Sequence, residues 1–358
     1  IYRNDEGNFI ELDLGIPGAY LGGVKWGDID NDKDLDVFVY GRNEVNLTTY
    51  STFYINNNGS FSELNSEIVP VLYSAADLGD YDADGDLDLI LSGTTGPNSK
   101  TDIYNNDDGQ FIHNPISLPG YSSSALAWGD YDNDGDLDFI LSGSPQITSL
   151  FENVDTSFIL VNSNFVGVTD GSIKWGDYDN DGDLDLLIIG YNNSLTQIAK
   201  VYRNNNPFSN TLPSVPANLS STVETQNVTL SWNKSTDIET PQDGLKYNLV
   251  VGSSPNAVDE VSPMSNRNTG YRKVINLGNT NHNNSWTIKG LDPGIYYWSV
   301  QATDNNFAGS NFAAEQSFTI EPVLGITVTS PQDGETWIGS SKQVVRWDPP
   351  IVLGNINI

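Results

Sequence analysis

Residues 128–143 read WGDYDNDGDLDFILSG. Asp130, Asp132, Asp134, Asp136 and Asp138 stand at alternate positions, and an apolar run follows at once. The block recurs as WGDIDNDKDLDVFVYG from Trp26, LGDYDADGDLDLILSG from Leu78 and WGDYDNDGDLDLLIIG from Trp175. The first aspartates are Asp28, Asp80, Asp130 and Asp177, at intervals of 52, 50 and 47. A second motif follows each block: FYINNNGSF at Phe53, IYNNDDGQF at Ile103, LFENVDTSF at Leu150 and VYRNNNPF at Val201. A further copy, IYRNDEGNF, opens the chain at Ile1. Two motifs on one beat mark an internal repeat.

Each unit reads as β. Asp86–Gly93 (DLDLILSG) is a short apolar strand ended by Gly. Within Asp102–Phe111 the Asp108-Gly109 pair signals a hairpin turn. No amphipathic helix of useful length is apparent in residues 1–205. About four short strands in about fifty residues is the arithmetic of a propeller blade, and β-solenoid coils are shorter.

The chemistry of the repeat lies in its aspartates. Counted from the first, carboxylates occupy positions 1, 3, 5, 7 and 9. These are Asp28, Asp30, Asp32, Asp34 and Asp36 in the first loop, and Asp80, Asp82, Asp84, Asp86 and Asp88 in the second. The third has the five already named, and the fourth has Asp177, Asp179, Asp181, Asp183 and Asp185. Hard oxygen ligands at this density suit calcium, which takes about six to eight. In the second loop Asp80, Asp82, Asp84 and Asp88 are the expected side-chain ligands, and Asp86 offers its carbonyl. Gly85 permits a sharp turn at positive φ. Magnesium demands tighter octahedral geometry, and zinc or copper prefer His and Cys. An EF-hand needs Glu at position 12 and a helix after it, whereas Val39, Leu91, Leu141 and Ile188 stand there. Solvated acidic turns are the bland alternative, but so many carboxylates repel one another unless a cation sits among them. About four structural calcium ions are therefore expected. Lys33 replaces Gly in the first loop, so Asp28–Asp36 is expected to be the weakest site.

These residues resemble the FG-GAP and VCBS repeats of integrin-type β-propellers. The resemblance covers residues 1–208, and it implies blades of a six- or seven-bladed propeller stiffened by calcium. Four loops and an opening half-blade lead us to expect a fragment of a longer propeller.

Around Pro207–Pro216 the composition shifts to a Pro-containing linker. Residues 209–321 then read as a β-sandwich with an early Trp and a late Tyr. Leu291-x-Pro293-Gly294-x-x-Tyr297 resembles the tyrosine corner of fibronectin type III domains, and Trp232 their core Trp. The resemblance implies a spacer in which the Tyr297 hydroxyl bonds to backbone. Residues 322–358 (ITVTSPQDGETWIGSSKQVVRWDPP from Ile326) resemble the opening strands of immunoglobulin-like repeats on bacterial and fungal surface proteins. The expected fold is thus all-β, with calcium-binding β-propeller blades followed by β-sandwich modules.

Composition narrows the function. The formal net charge is −31, which repels nucleic acid and anionic membranes. Aromatic residues at 11% argue against disorder, and the absence of Cys excludes disulfides. No apolar run is long enough to span a bilayer. His113 and His282 are expected to be exposed, and neither sits in a catalytic motif. The reading is a non-catalytic calcium-binding module of a secreted or cell-surface protein, bacterial by the resemblance of its third module and by its lack of cysteine. Its expected partner is a glycan, an extracellular protein or another copy of itself. The rival readings are an appendage of a polysaccharide-degrading enzyme and a component of an extracellular fibre.

Overall fold

The structure is a computed structural model that describes residues 1–5, 7–272 and 274–322, with strands at 327–330 and 346–348. It is all-β, in several separate sheets, and the described sheets do not show a closed ring.

A hairpin comes first: β1 (Tyr2–Asp5) pairs antiparallel with β2 (Asn8–Glu11). The first full unit has β3 (Tyr20–Gly27), β4 (Asp36–Arg42), β5 (Thr49–Asn57) and β6 (Ser60–Glu63), paired in chain order. The second has β7 (Leu72–Gly79), β8 (Asp88–Thr95), β9 (Asn98–Asp107) and β10 (Gln110–Asn114). The third has β11 (Ser122–Gly129), β12 (Asp138–Ser144), β13 (Ile147–Val154) and β14 (Ser157–Val161). The fourth has three strands, β15 (Thr169–Gly176), β16 (Asp185–Tyr191) and β17 (Gln197–Tyr202). The innermost strands β3, β7, β11 and β15 lie side by side in that order.

Each sheet between two neighbours is buried on both faces, which explains the continuous apolar runs. Leu89, Ile90 and Leu91 are buried, as are Phe139, Ile140 and Leu141. Every first strand slips register near its start, between Tyr20 and Gly23, Leu72 and Ala75, Ser122 and Ala125, and Thr169 and Ser172. A non-glycine residue holds positive φ at each slip: Leu21, Tyr73, Ser123 and Asp170. Such bulges increase the local twist.

The second body is a sandwich of two sheets. One contains β18 (Ala217–Glu224), β19 (Asn227–Asn233) and β21 (Ser285–Ile288). The other contains β20 (Lys246–Gly252), β22 (Gly294–Thr303) and β23 (Gln316–Ile320). Trp232, Tyr247 and Trp298 meet in the core between them. The corner tyrosine is Tyr296, not the expected Tyr297. Tyr296 is buried, stacks on Phe318 and donates its hydroxyl to the Asp292 carbonyl at 2.9 Å. Alternation along β22 sends Tyr297 to the other face, one residue out of register with the expected motif.

The sandwich does not stand apart from the repeat units. Phe307 is buried among Val168, Trp175 and Leu184 of the fourth unit, with Ile275 packed against the same cluster. Of residues 322–358, β24 (Thr327–Ser330) pairs with β25 (Arg346–Asp348). The rest of the immunoglobulin-like reading lies outside the described residues. No helix among the described residues is long and apolar enough to cross a membrane.

Candidate metal centres

Each acidic loop joins the first strand of a unit to the second. Position 9 opens the second strand, and both of its oxygens accept backbone N–H groups. One takes the N–H of position 2: Ile29 at 2.9 Å, Tyr81 at 3.2 Å, Tyr131 at 3.0 Å and Tyr178 at 2.9 Å. The other takes an asparagine N–H from the second motif: Asn56 at 2.7 Å, Asn106 at 2.9 Å, Asn153 at 2.8 Å and Asn204 at 2.9 Å. Position 1 accepts the N–H of position 6, from Lys33, Gly85, Gly135 and Gly182. That residue is left-handed in every loop, with φ of 78° at Lys33 and 99°, 96° and 90° at the three glycines. Position 4 is left-handed too, at Asn31, Ala83, Asn133 and Asn180.

These turns bring carboxylates together. In the second, third and fourth loops positions 1, 3 and 9 converge: Asp80, Asp82 and Asp88; Asp130, Asp132 and Asp138; Asp177, Asp179 and Asp185. In the first loop Asp28, Asp30 and Asp32 converge instead. Within each group one oxygen per residue lies within 4.8 Å of the others. Position 7 accepts a backbone N–H from the second motif in three loops. Asp34 accepts from Asn58 N, Asp86 from Asp108 N and Asp183 from Asn206 N, which caps the hairpin turn beyond the loop. Position 5 accepts the N–H of position 7, as at Asp32, Asp84 and Asp134.

Burial pushes the acids up. Desolvation, then the neighbouring carboxylate Asp36, raises Asp28 to about 7. Desolvation raises Asp130 to about 8 and Asp138 to about 10, with other loop carboxylates adding to both. Several oxygens that face these clusters accept no hydrogen bond within the protein: Asp28 Oδ1, Asp82 Oδ1, Asp132 Oδ1 and Asp179 Oδ1. Asp28 is only 1% exposed. An unpaired buried carboxylate is costly unless a cation meets it. The donor set is oxygen throughout, which fits a hard divalent ion such as calcium.

The sandwich touches all four loops. Asn283 donates to Asp28 Oδ2 at 2.8 Å, and Lys289 reaches Asp34 at 3.3 Å. His282 Nε2 lies 3.5 Å from Asp80 Oδ2. Asn305 donates to the Gly135 carbonyl at 3.0 Å, and Asn306 to the Gly182 carbonyl at 3.0 Å. Lys246 is fully buried, bonded to Asn305 Oδ1 and to the Gly244 carbonyl. His282 was expected at the surface, but it is 6% exposed. Its asparagine-rich segment is polar because it lies against acidic loops, not because it lies in water. Burial, then Lys246, holds its ring well below the ordinary histidine value. His113 is exposed, with Nε2 3.2 Å from Asp102. The fourth loop has its own cation: Arg203 pairs with Asp179 and Asp181, each at 2.8 Å.

Sequence reading passed over the second-motif asparagines, although they recur on the same beat as the loops. It also passed over Lys246 and Asn305, whose partners are far away in the chain.

Residues 80–141 match the family model of an FG-GAP-like repeat. They span the second acidic loop through the strand after the third. No curated protein matches this chain. Among solved structures, the chicken CNTN1 FN1-FN3 domains align over 85% of this chain and 100% of that one. That alignment has 12% identity and a TM-score of 0.26, too low to carry an argument.

Proposed function

We propose that this chain is a non-catalytic calcium-binding module of a secreted or cell-surface multidomain protein. Its repeat units are blades of a β-propeller, and its sandwich is fibronectin-like. The unpaired, buried carboxylate oxygens of the four loops carry this reading. Calcium, when bound, would supply the positive charge that the clusters of the first three loops lack, and in the fourth it would join Arg203, which already pairs with Asp179 and Asp181. Asp80, Asp82, Asp84 and Asp88 offer side-chain oxygens in the second loop, and Asp86 its carbonyl; the third and fourth loops repeat the set, and the first gathers Asp28, Asp30 and Asp32 instead. The aspartates are thus engaged in structure, and the proposed work of the module is adhesion to a glycan or an extracellular protein.

Calorimetric titration with calcium tests the metal assignment, with thermal unfolding followed in calcium and in chelator. About four equivalents bound and a lower unfolding temperature in chelator are expected. An unfolding temperature indifferent to chelator defeats the assignment. Binding to arrays of glycans and matrix proteins, with and without calcium, then tests adhesion.

A further inference from the structure

In three of the four loops the carboxylate of position 1 is held by its own loop. Position 5 donates its backbone N–H to one oxygen: Asp84 to Asp80 Oδ1 at 3.0 Å, Asp134 to Asp130 Oδ1 at 3.2 Å and Asp181 to Asp177 Oδ1 at 3.2 Å. Position 6 donates to the other oxygen. The first loop breaks this pattern. Its position-5 N–H, from Asp32, goes to Asp30 Oδ1 at 3.3 Å instead. Asp28 Oδ1 therefore accepts no hydrogen bond within the protein, although Asp28 is almost wholly buried.

The sandwich supplies what this loop does not. Asp28 Oδ2 takes the Lys33 N–H at 3.0 Å and, as a second donor, the side-chain amide of Asn283 at 2.8 Å. Among the described residues no other position-1 carboxylate accepts a side-chain amide. The donor is firmly placed. The Asn283 N–H bonds to the Thr280 carbonyl at 3.1 Å, and the Asn281 carbonyl takes the Tyr247 N–H of β20 at 2.8 Å. Asn281 and His282, which lead into it, are buried. Hydrogen bonds made from behind a ligating carboxylate fix which oxygen faces the ion, and losing one costs about 10–100-fold in metal affinity.

We propose that Asn283 is a positioning residue of the first metal centre, so that the sandwich completes a site that the first loop leaves unfinished. The proposal rests on the reading of the loops as calcium sites. Asn283 holds Asp28 by Oδ2 and leaves Oδ1 turned to the cluster with Asp30 and Asp32. A second sandwich residue separates this role from docking alone. Lys289 also grips the first loop, at Asp34 and at Asn58, but touches none of the three gathered carboxylates.

Calorimetric calcium titration of the full chain tests it. Asp30→Asn identifies the step that belongs to the first loop, because that step disappears. Asn283→Ala is expected to weaken the same step by about tenfold or more and to leave the other steps in place. Asn283 is half-buried and keeps its backbone bond to Thr280, so the variant folds, which its melting curve in chelator checks. Lys289→Met removes a docking contact and an ammonium, so its first-loop step stays level or tightens. A first-loop step unmoved in Asn283→Ala overturns the proposal and leaves the calcium reading intact. Equal weakening by the two variants overturns it too, since docking alone would then set the affinity. A wild type that binds no calcium removes the reading and the proposal together.

Discussion

Asn106 donates its side-chain amide to the carbonyl of Ile29, 77 residues earlier, at 2.7 Å. The same amide reaches the Leu87 carbonyl at 3.2 Å, and its Oδ1 accepts the N–H of Gly109 at 2.9 Å. Its backbone N–H goes to Asp88 Oδ1. One buried side chain therefore ties its own loop, its own hairpin and the neighbouring unit. That is why the two repeated motifs keep one spacing.

Asn106→Ala leaves the buried carbonyls of Ile29 and Leu87 without that donor. The expected loss is about 3 kcal/mol, from about 1–3 kcal/mol for each buried group left unpaired. Asn4 is the same motif position in the opening hairpin, where it is exposed and accepts from Gly7. Asn4→Ala is expected to cost no more than about 0.5 kcal/mol. Urea midpoints of the two variants decide it; equal losses would show that the tie between units carries no weight.

The strands and loops were legible because period and chemistry coincide there. Alternate aspartates, a glycine at position 6 and an apolar run each have a local cause. The asparagine keys were visible as letters, but their partners lie in another unit, and no local pattern names a carbonyl that far away. The tyrosine corner slipped by one residue because Tyr296 and Tyr297 are adjacent and either fits a motif by eye. His282 was misjudged for a related reason. Polarity in NTNHNNS reads as solvent, whereas the segment is polar to meet Asp28 and Asp80 across an interface. The docking of the sandwich on the loops had no sequence signal at all.

That docking rests on Asn305. Its amide donates to the Gly135 carbonyl, its Oδ1 accepts from Lys246, and its N–H donates to Thr240 Oγ1 at 3.2 Å. Asn305→Ala strands a buried ammonium and a buried carbonyl. A loss of about 3 kcal/mol is expected, since a buried charge deprived of its partner costs about 3–5 kcal/mol and Lys246 keeps the Gly244 carbonyl. Chemical unfolding should then split into two transitions, for repeat units and sandwich. A single transition at the wild-type midpoint would mean that the contact does not join the two bodies.

The loop acids give stability a pH dependence of opposite sign with and without calcium. Desolvation first, with neighbouring carboxylates adding, raises Asp28 and Asp80 to about 7 and Asp130 to about 8 in the metal-free fold. The fold then holds more protons than the unfolded chain between the ordinary carboxylate value of 3.8 and about 8. Stability of the metal-free chain is therefore full below that window and is lost as pH rises through it. Calcium requires deprotonated ligands, so its affinity rises across the same range. Melting temperatures from about pH 5 to about pH 8 should fall in EDTA and rise or stay level in calcium. A melting temperature that climbs with pH in EDTA contradicts the buried-carboxylate account.

Lys33 makes the first loop the one to repair. It holds φ of 78° where the other loops have glycine. A side chain in that region costs about 1–2 kcal/mol, and its ammonium adds positive charge beside the cluster. The first group also gathers Asp28, Asp30 and Asp32, leaving Asp36 out, unlike the groups in the other loops. Lys33→Gly removes the strain and the charge together, while Gly still offers the N–H that Lys33 gives Asp28 Oδ2 at 3.0 Å. If calcium binding draws on that strain, the weakest step of a calcium titration should tighten by roughly fivefold for about 1 kcal/mol. The mirror change, Gly135→Lys, is expected to weaken one of the tighter steps by at least as much, because a Cβ at Gly135 would also strike the Glu239 carbonyl. No tightening in the first variant, alongside loss in the second, would place the weakness of the first loop in its gathered ligands and not in its turn.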